Sequence, residues 1–168
     1  MYFEIIAQCA RNLKNVESFL LKAEQYATEK NFDVSVLMST RLAPDMKPLI
    51  YQVQSACDYL KGGAAWLSGT DIPRHADTEQ TISELRARIE KTLAFVESIE
   101  KQKYVGAGKR TMTLSWEPGK VIAAPDYALQ VVIPNVNFHI AMAYAILRNN
   151  GVDVGKMDFL GKLNMVDA

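Results

Sequence analysis

Histidine is scarce in this chain: 168 residues hold two, His75 and His139. A three-histidine metal site is therefore impossible. His75 stands in PRHAD, a polar stretch just ahead of a helical pattern, and reads as a solvated loop residue. His139 stands in NFHIAMAYAILRNNG, on a helix face otherwise lined by Val136, Ala143 and Ile146, so its imidazole looks inward. Three roles suit an inward imidazole. It can ligate a metal. It can act as a binding-site base, because its ordinary pKa of about 6.5 is easily moved. It can also be a core histidine satisfied by a hydrogen bond.

The polar residues that could join His139 follow from helical spacing. Asn135 lies one turn earlier on the same face. Tyr144 is five residues later and turned roughly 140° away, at about 100° per residue. On an earlier helix Tyr51, Gln54 and Asp58 form a polar line at i, i+3 and i+7, with Arg41 and Asp45 just ahead of that helix. The pattern predicts a polar small-molecule pocket between the second and fourth helices, lined by Arg41, Asp45, Gln54, Asn135 and His139. His139 is its best single catalytic candidate, and Arg41 would meet an anionic group of the ligand. The alternative is a buried hydrogen-bond network with no ligand. The signatures GxGxxG, P-loop, HExxH and GxSxG are all absent. Cys9 and Cys57 belong to no CxxC pair and read as reduced, half-buried thiols.

Four helical segments must position these residues. In the first, over 2–30, Phe3, Ile6, Ala10, Leu13, Val16, Leu20, Ala23 and Ala27 make one apolar stripe. A crossover follows, with a short apolar piece over 34–38 and Pro44 disfavouring helix at Ala43. The second helix is expected from an Asp45 N-cap to about Leu67, with Gly62 and Gly63 allowing a close helix approach. The third is expected from an Asp77–Gln80 capping box to about Lys101. Its pairs Glu84–Arg88 and Glu97–Lys101 are expected on the wet face.

TMTLSW and KVIAA flank EPG, which predicts a β-hairpin with Pro118 and Gly119 central in a type II turn. Tyr104 and Trp116 would anchor it. The fourth helix spans 126–150, is interrupted by Pro134, and stops at Gly151. Phe159 and Leu160 should tuck against the bundle or a partner, and the last few residues should fray. The sum is one domain over 1–168, mainly α: an antiparallel four-helix bundle with a small β-hairpin between helices three and four.

Composition excludes several classes. Nineteen Lys and Arg balance nineteen Asp and Glu, so the chain lacks the basic excess usual in nucleic-acid binders and the polybasic tract of a membrane-surface protein. Zero net charge leaves self-association unopposed. MYFEIIAQCARNLKN lacks the pattern of a signal peptide, and no uninterrupted apolar run approaches the roughly 18 residues of a membrane span. A cytoplasmic location is expected.

RLAPDMKPLIYQVQSACDYLKG and NFHIAMAYAILRNNGVDVGKMDFLG resemble the signatures of an uncharacterised bacterial domain-of-unknown-function family. That family is allied to the DinB/YfiT-like superfamily of four-helix bundles. The resemblance covers nearly the whole chain and implies an up-down-down-up bundle, often a homodimer. Metal-binding members of the superfamily use one histidine from helix two and an HxxxH pair from helix four. Their known activities are thiol-dependent transfers or hydrolyses. Set against that motif, His139 falls at the second histidine of the pair, Asn135 at the first, and Gln54 near the helix-two position. One imidazole and two amides do not make a zinc or nickel site. The resemblance therefore implies a member without an intact metal site. The alternatives are a divergent enzyme using a divalent transition metal, and a structural homodimer without catalysis.

Overall fold

Periodic burial produces the first helix. In the computed structural model, which describes residues 1–114 and 116–166, α1 (Tyr2–Lys30) buries its predicted stripe from Ile6 onward, together with Cys9 and Phe19, and leaves Phe3 half-buried. Asn31 closes it in the left-handed conformation, and the Phe32 N–H reaches back to the Ala27 carbonyl. The crossover holds a short helix, α2 (Ser35–Ser39), which buries Leu37 and Met38.

α3 (Leu49–Ser68) starts three residues later than expected, with Pro48 as its N-cap. Pro48 forces Lys47 out of helical conformation, as Pro44 does Ala43, so Asp45 cannot cap α3. α4 (Ile82–Glu97) also starts later, because Thr81 is the N-cap and Asp77 is not. The Glu84 N–H donates to Thr81 Oγ1 at 3.1 Å, and the Thr81 N–H donates to the Glu84 carboxylate at 3.0 Å. The expected wet-face pairs do not form. Glu84 is spent on that cap, Lys101 pairs with Glu4, and Arg88 is buried.

The last helix runs unbroken over Ala124–Asn149. It comprises α5 (Ala124–Asp126), a π-helical stretch (Tyr127–Val132) and α6 (Ile133–Asn149). Pro134 therefore widens the helix ahead of it instead of breaking it. The proline ring removes a donor and crowds the preceding turn, and a π turn relieves both. Asn135 and Asn137 then donate from their side chains to the Val131 and Ile133 carbonyls, at 2.7 and 3.0 Å. Gly151 (φ 91°) ends the helix as predicted.

α1 and α3 each pack against both α4 and the last helix, closing a four-helix bundle. At Gly63 the approach of α3 to the last helix is tight: a Cβ there would lie 2.8 Å from both Val132 methyls. The last helix is long and apolar enough to cross a membrane by length and composition, a point the run-length reading missed. It is partly buried in this bundle: Val132, Val136, Ile140, Ala143, Ile146 and Leu147 lie in the shared core.

β1 (Thr111–Thr113) and β2 (Val121–Ala123) pair antiparallel with Met112 opposite Ile122. Gly119 (φ 83°) follows Pro118, and the Lys120 N–H returns to the Glu117 carbonyl, as a type II turn requires. Ser115, in the first predicted strand stretch, lies outside the described residues. Arg110 ties the base of the hairpin to α3 by donating to the Trp66 carbonyl at 3.3 Å and to that of Leu67. Tyr104 is buried against Phe3, whereas Trp116 stays 59% exposed. The short α7 (Lys156–Leu160) docks on α1 through Lys22–Asp158 at 2.8 Å and through Asn15 Nδ2 donating to the Phe159 carbonyl. Of the tail expected to fray, Asp167 and Ala168 lie outside the described residues.

Candidate functional site

His139 is buried on α6, and helical spacing alone turns it toward α3. Its Nδ1 meets Gln52 Oε1 at 2.8 Å, and Gln52 Nε2 donates to the Lys47 carbonyl at 3.0 Å. The chain of bonds fixes the tautomer. The Gln52 amide nitrogen is committed to Lys47, so its oxygen faces the ring and must accept; Nδ1 therefore carries the proton. Nε2 is left with its lone pair. It makes no hydrogen bond among the described residues, and it is not sealed from solvent. Burial pushes the His139 pKa down, which keeps the ring neutral.

Aromatic rings fix the plane of the imidazole. Tyr59 stacks on it at 5.6 Å and 19°, and Tyr51 and Phe138 approach edge-on at 6.1 and 5.2 Å. Tyr59 also lines a cavity of about 380 Å³ between α3, the hairpin and the start of the last helix. Asp58, Met112, Thr113, Leu114, Trp116, Tyr127 and Val131 complete its wall. A larger groove of about 540 Å³ lies between α1 and α4, and neither Gln52 nor the rings packed on His139 line it. The smaller cavity shares a residue with the histidine cluster, and that makes it the candidate site.

The predicted lining residues do not converge on His139. Gln54 points the other way, donating to Glu79 at 2.8 Å. Gln52 takes the place assigned to it. Asn135 Nδ2 is committed to its own helix at Val131. Arg41 is exposed and donates to the Met46 carbonyl, and Asp45 is exposed on the same loop. Tyr144 is turned away as expected, packing on Phe19 and Phe159. Gln52 and Tyr59 were missed. Their signal was an i, i+7 step, which returns to nearly the same helix face.

The donor set does not fit a transition metal. One imidazole has its Nδ1 bonded to an amide oxygen, and the neighbouring amide nitrogens are spent on backbone carbonyls. Among the described residues no three His, Cys, Asp or Glu side chains are grouped to hold an ion. The thiols offer nothing reactive. Burial pushes Cys9 up to about 11 and Cys57 up to about 12, so both stay protonated.

A second polar cluster joins α3 to α4. Arg88, buried, contacts both Asp58 oxygens at 2.9 Å, Asp77 at 2.9 Å and Glu79 at 3.0 Å. Lys61, also buried, contacts Asp58 at 2.8 Å. His75 lies in the expected loop but is half-buried there, with both ring nitrogens enclosed without a partner. Burial lowers its pKa first, and the nearby Lys61, Lys91 and Arg88 lower it further.

The fold has a solved counterpart. A DinB family member protein from Shewanella denitrificans superposes with a TM-score of 0.95 at 38% identity, covering 99% of this chain and 95% of that one. No curated protein matches the chain. The model of the family described as "Domain of unknown function (DUF1993)" matches residues 1–160. With that match spanning nearly the whole bundle, the chain belongs to the DUF1993 family, as an uncharacterised DinB-like protein.

Proposed function

We propose that this chain binds a small organic molecule in the cavity between α3 and the last helix, under the hairpin, and does so without a metal. One observation supports the reading above all. The bond chain from the Lys47 carbonyl through Gln52 holds His139 with its Nε2 lone pair free, beside a ring, Tyr59, that the cavity shares. A neutral imidazole fixed in this tautomer accepts a hydrogen bond, or a proton from a substrate group near neutral pH. A cavity of about 380 Å³ suits a molecule of metabolite size.

The test is a thermal-shift screen of metabolites on the protein and on His139→Ala and Tyr59→Leu. Compounds that stabilise the parent should lose most of their effect in both variants. Unchanged responses in both would end the reading. Metal content of untagged protein purified without chelator gives a second check. Near-stoichiometric zinc, nickel or manganese that disappears in His139→Ala would overturn the metal-free part.

A second reading, a homodimer, draws on an exposed aromatic pair. Phe138 is 52% and Tyr51 41% exposed, and both flank the His139 ring. A partner seated there would cover the ring and complete the site.

A further inference from the structure

We propose that the cavity under the hairpin selects an organic cation: a tertiary or quaternary ammonium group on a small apolar body. The proposal rests on the cavity reading above and adds the class of ligand.

The lining carries the argument. Among its described residues three are aromatic, Tyr59, Trp116 and Tyr127, one, Asp58, is charged, and none is a lysine or arginine. Aromatic faces carry the negative end of the ring quadrupole and attract a desolvated cation. Burial pushes Tyr127 up to about 12 and raises Tyr59 as well, so both phenols stay neutral and Asp58 supplies the anionic charge.

Arg88 and Lys61 hold the Asp58 carboxylate, and the charge it presents is that of the network as a whole. The ion network behind it holds three carboxylates, Asp58, Asp77 and Glu79, against two cations, Lys61 and Arg88, a surplus of one negative charge. Asp58 is the member of that network on the cavity wall, and its side chain is 42% exposed. An anionic ligand would meet an acidic residue and three aromatic side chains, with no basic side chain among the described residues of the wall to answer it. A neutral apolar ligand would gain contact area but nothing from the charge. A soft, weakly hydrated ammonium gains from both.

Choline, its uncharged isostere 3,3-dimethylbutan-1-ol, and the anion 3,3-dimethylbutanoate separate these cases at nearly constant shape. Binding is followed by saturation-transfer NMR and by tryptophan fluorescence, on the full chain and on Trp116→Leu. Trp116 is exposed, so its replacement leaves the core intact. Choline should bind about tenfold more tightly than the alcohol, the butanoate should not bind, and Trp116→Leu should weaken choline about fivefold. Added salt should weaken choline and leave the alcohol unchanged. Equal affinity for choline and the alcohol would overturn the cation proposal while leaving the cavity reading intact. Binding of the butanoate, or no saturable binding of choline, would overturn it as well. The cavity reading fails separately, when Tyr59→Leu and His139→Ala leave every screened compound unaffected.

Discussion

At His139 a single hydrogen bond decides the chemistry of the ring. Gln52 Oε1 accepts from Nδ1, so replacing Gln52 by leucine leaves a buried N–H without an acceptor. We expect Gln52→Leu to cost about 1–3 kcal/mol in urea unfolding. The nitrogen-15 shifts of the ring should show Nδ1 losing its fixed proton. The same burial sets a pH dependence. The folded pKa of His139 lies below its ordinary 6.5, and that of His75 does too. Below pH 6.5 the unfolded chain therefore binds more protons than the folded one. Stability is full above that pH and falls as pH drops through it toward the folded values. Unfolding midpoints at pH 7.5 and 5.5 should differ, by less in His139→Gln and least when His75→Gln is added. A pH-flat wild type would refute the assignment.

Between elements, two contacts set how α3 meets its neighbours. Gly63 lets the last helix approach, and an alanine there would drive its methyl into Val132. We expect Gly63→Ala to lower stability by about 1–3 kcal/mol despite its better helix propensity, read as a lower thermal midpoint. Arg88 joins α4 to α3 and to the loop ahead of α4 by gathering three carboxylates. Its loss leaves the largely enclosed Glu79 with only the Gln54 amide and the partly exposed Asp58 with only Lys61. Arg88→Met should cost about 3 kcal/mol, the low end for breaking a buried pair, because water reaches two of its three partners. A cost under about 0.5 kcal/mol, the scale of a surface pair, would show that the network adds nothing to stability.

For the molecule as a whole, Tyr51 and Phe138 set an exposed aromatic patch beside His139. Zero net charge does not oppose association, and two exposed aromatic side chains favour it. If self-association uses this face, sedimentation should give a dimer, and Phe138→Glu should shift it toward monomer without lowering the thermal midpoint of the bundle. A monomeric wild type would leave the patch to another partner. The DinB-like architecture and the family do not depend on that outcome.

Local rules made much of this legible in the sequence. The α1 stripe, the stop at Gly151 and the Gly119 turn each follow from neighbouring residues, because helical period and positive φ are properties of short segments. Pro134 marks a disturbance in the sequence, but the helix widens into a π turn ahead of it and is not interrupted. The partners of His139 and Arg88 were decided only by tertiary packing. Gln52 and Gln54 are equally polar and stand about 200° apart around α3, so the sequence cannot say which of them faces the last helix. Arg88 has the spacing of a wet-face residue, but the loop ahead of α4 brings Asp77 and Glu79 onto it. A side chain's type and helical phase are written in the chain, whereas its partner is chosen by segments distant in sequence.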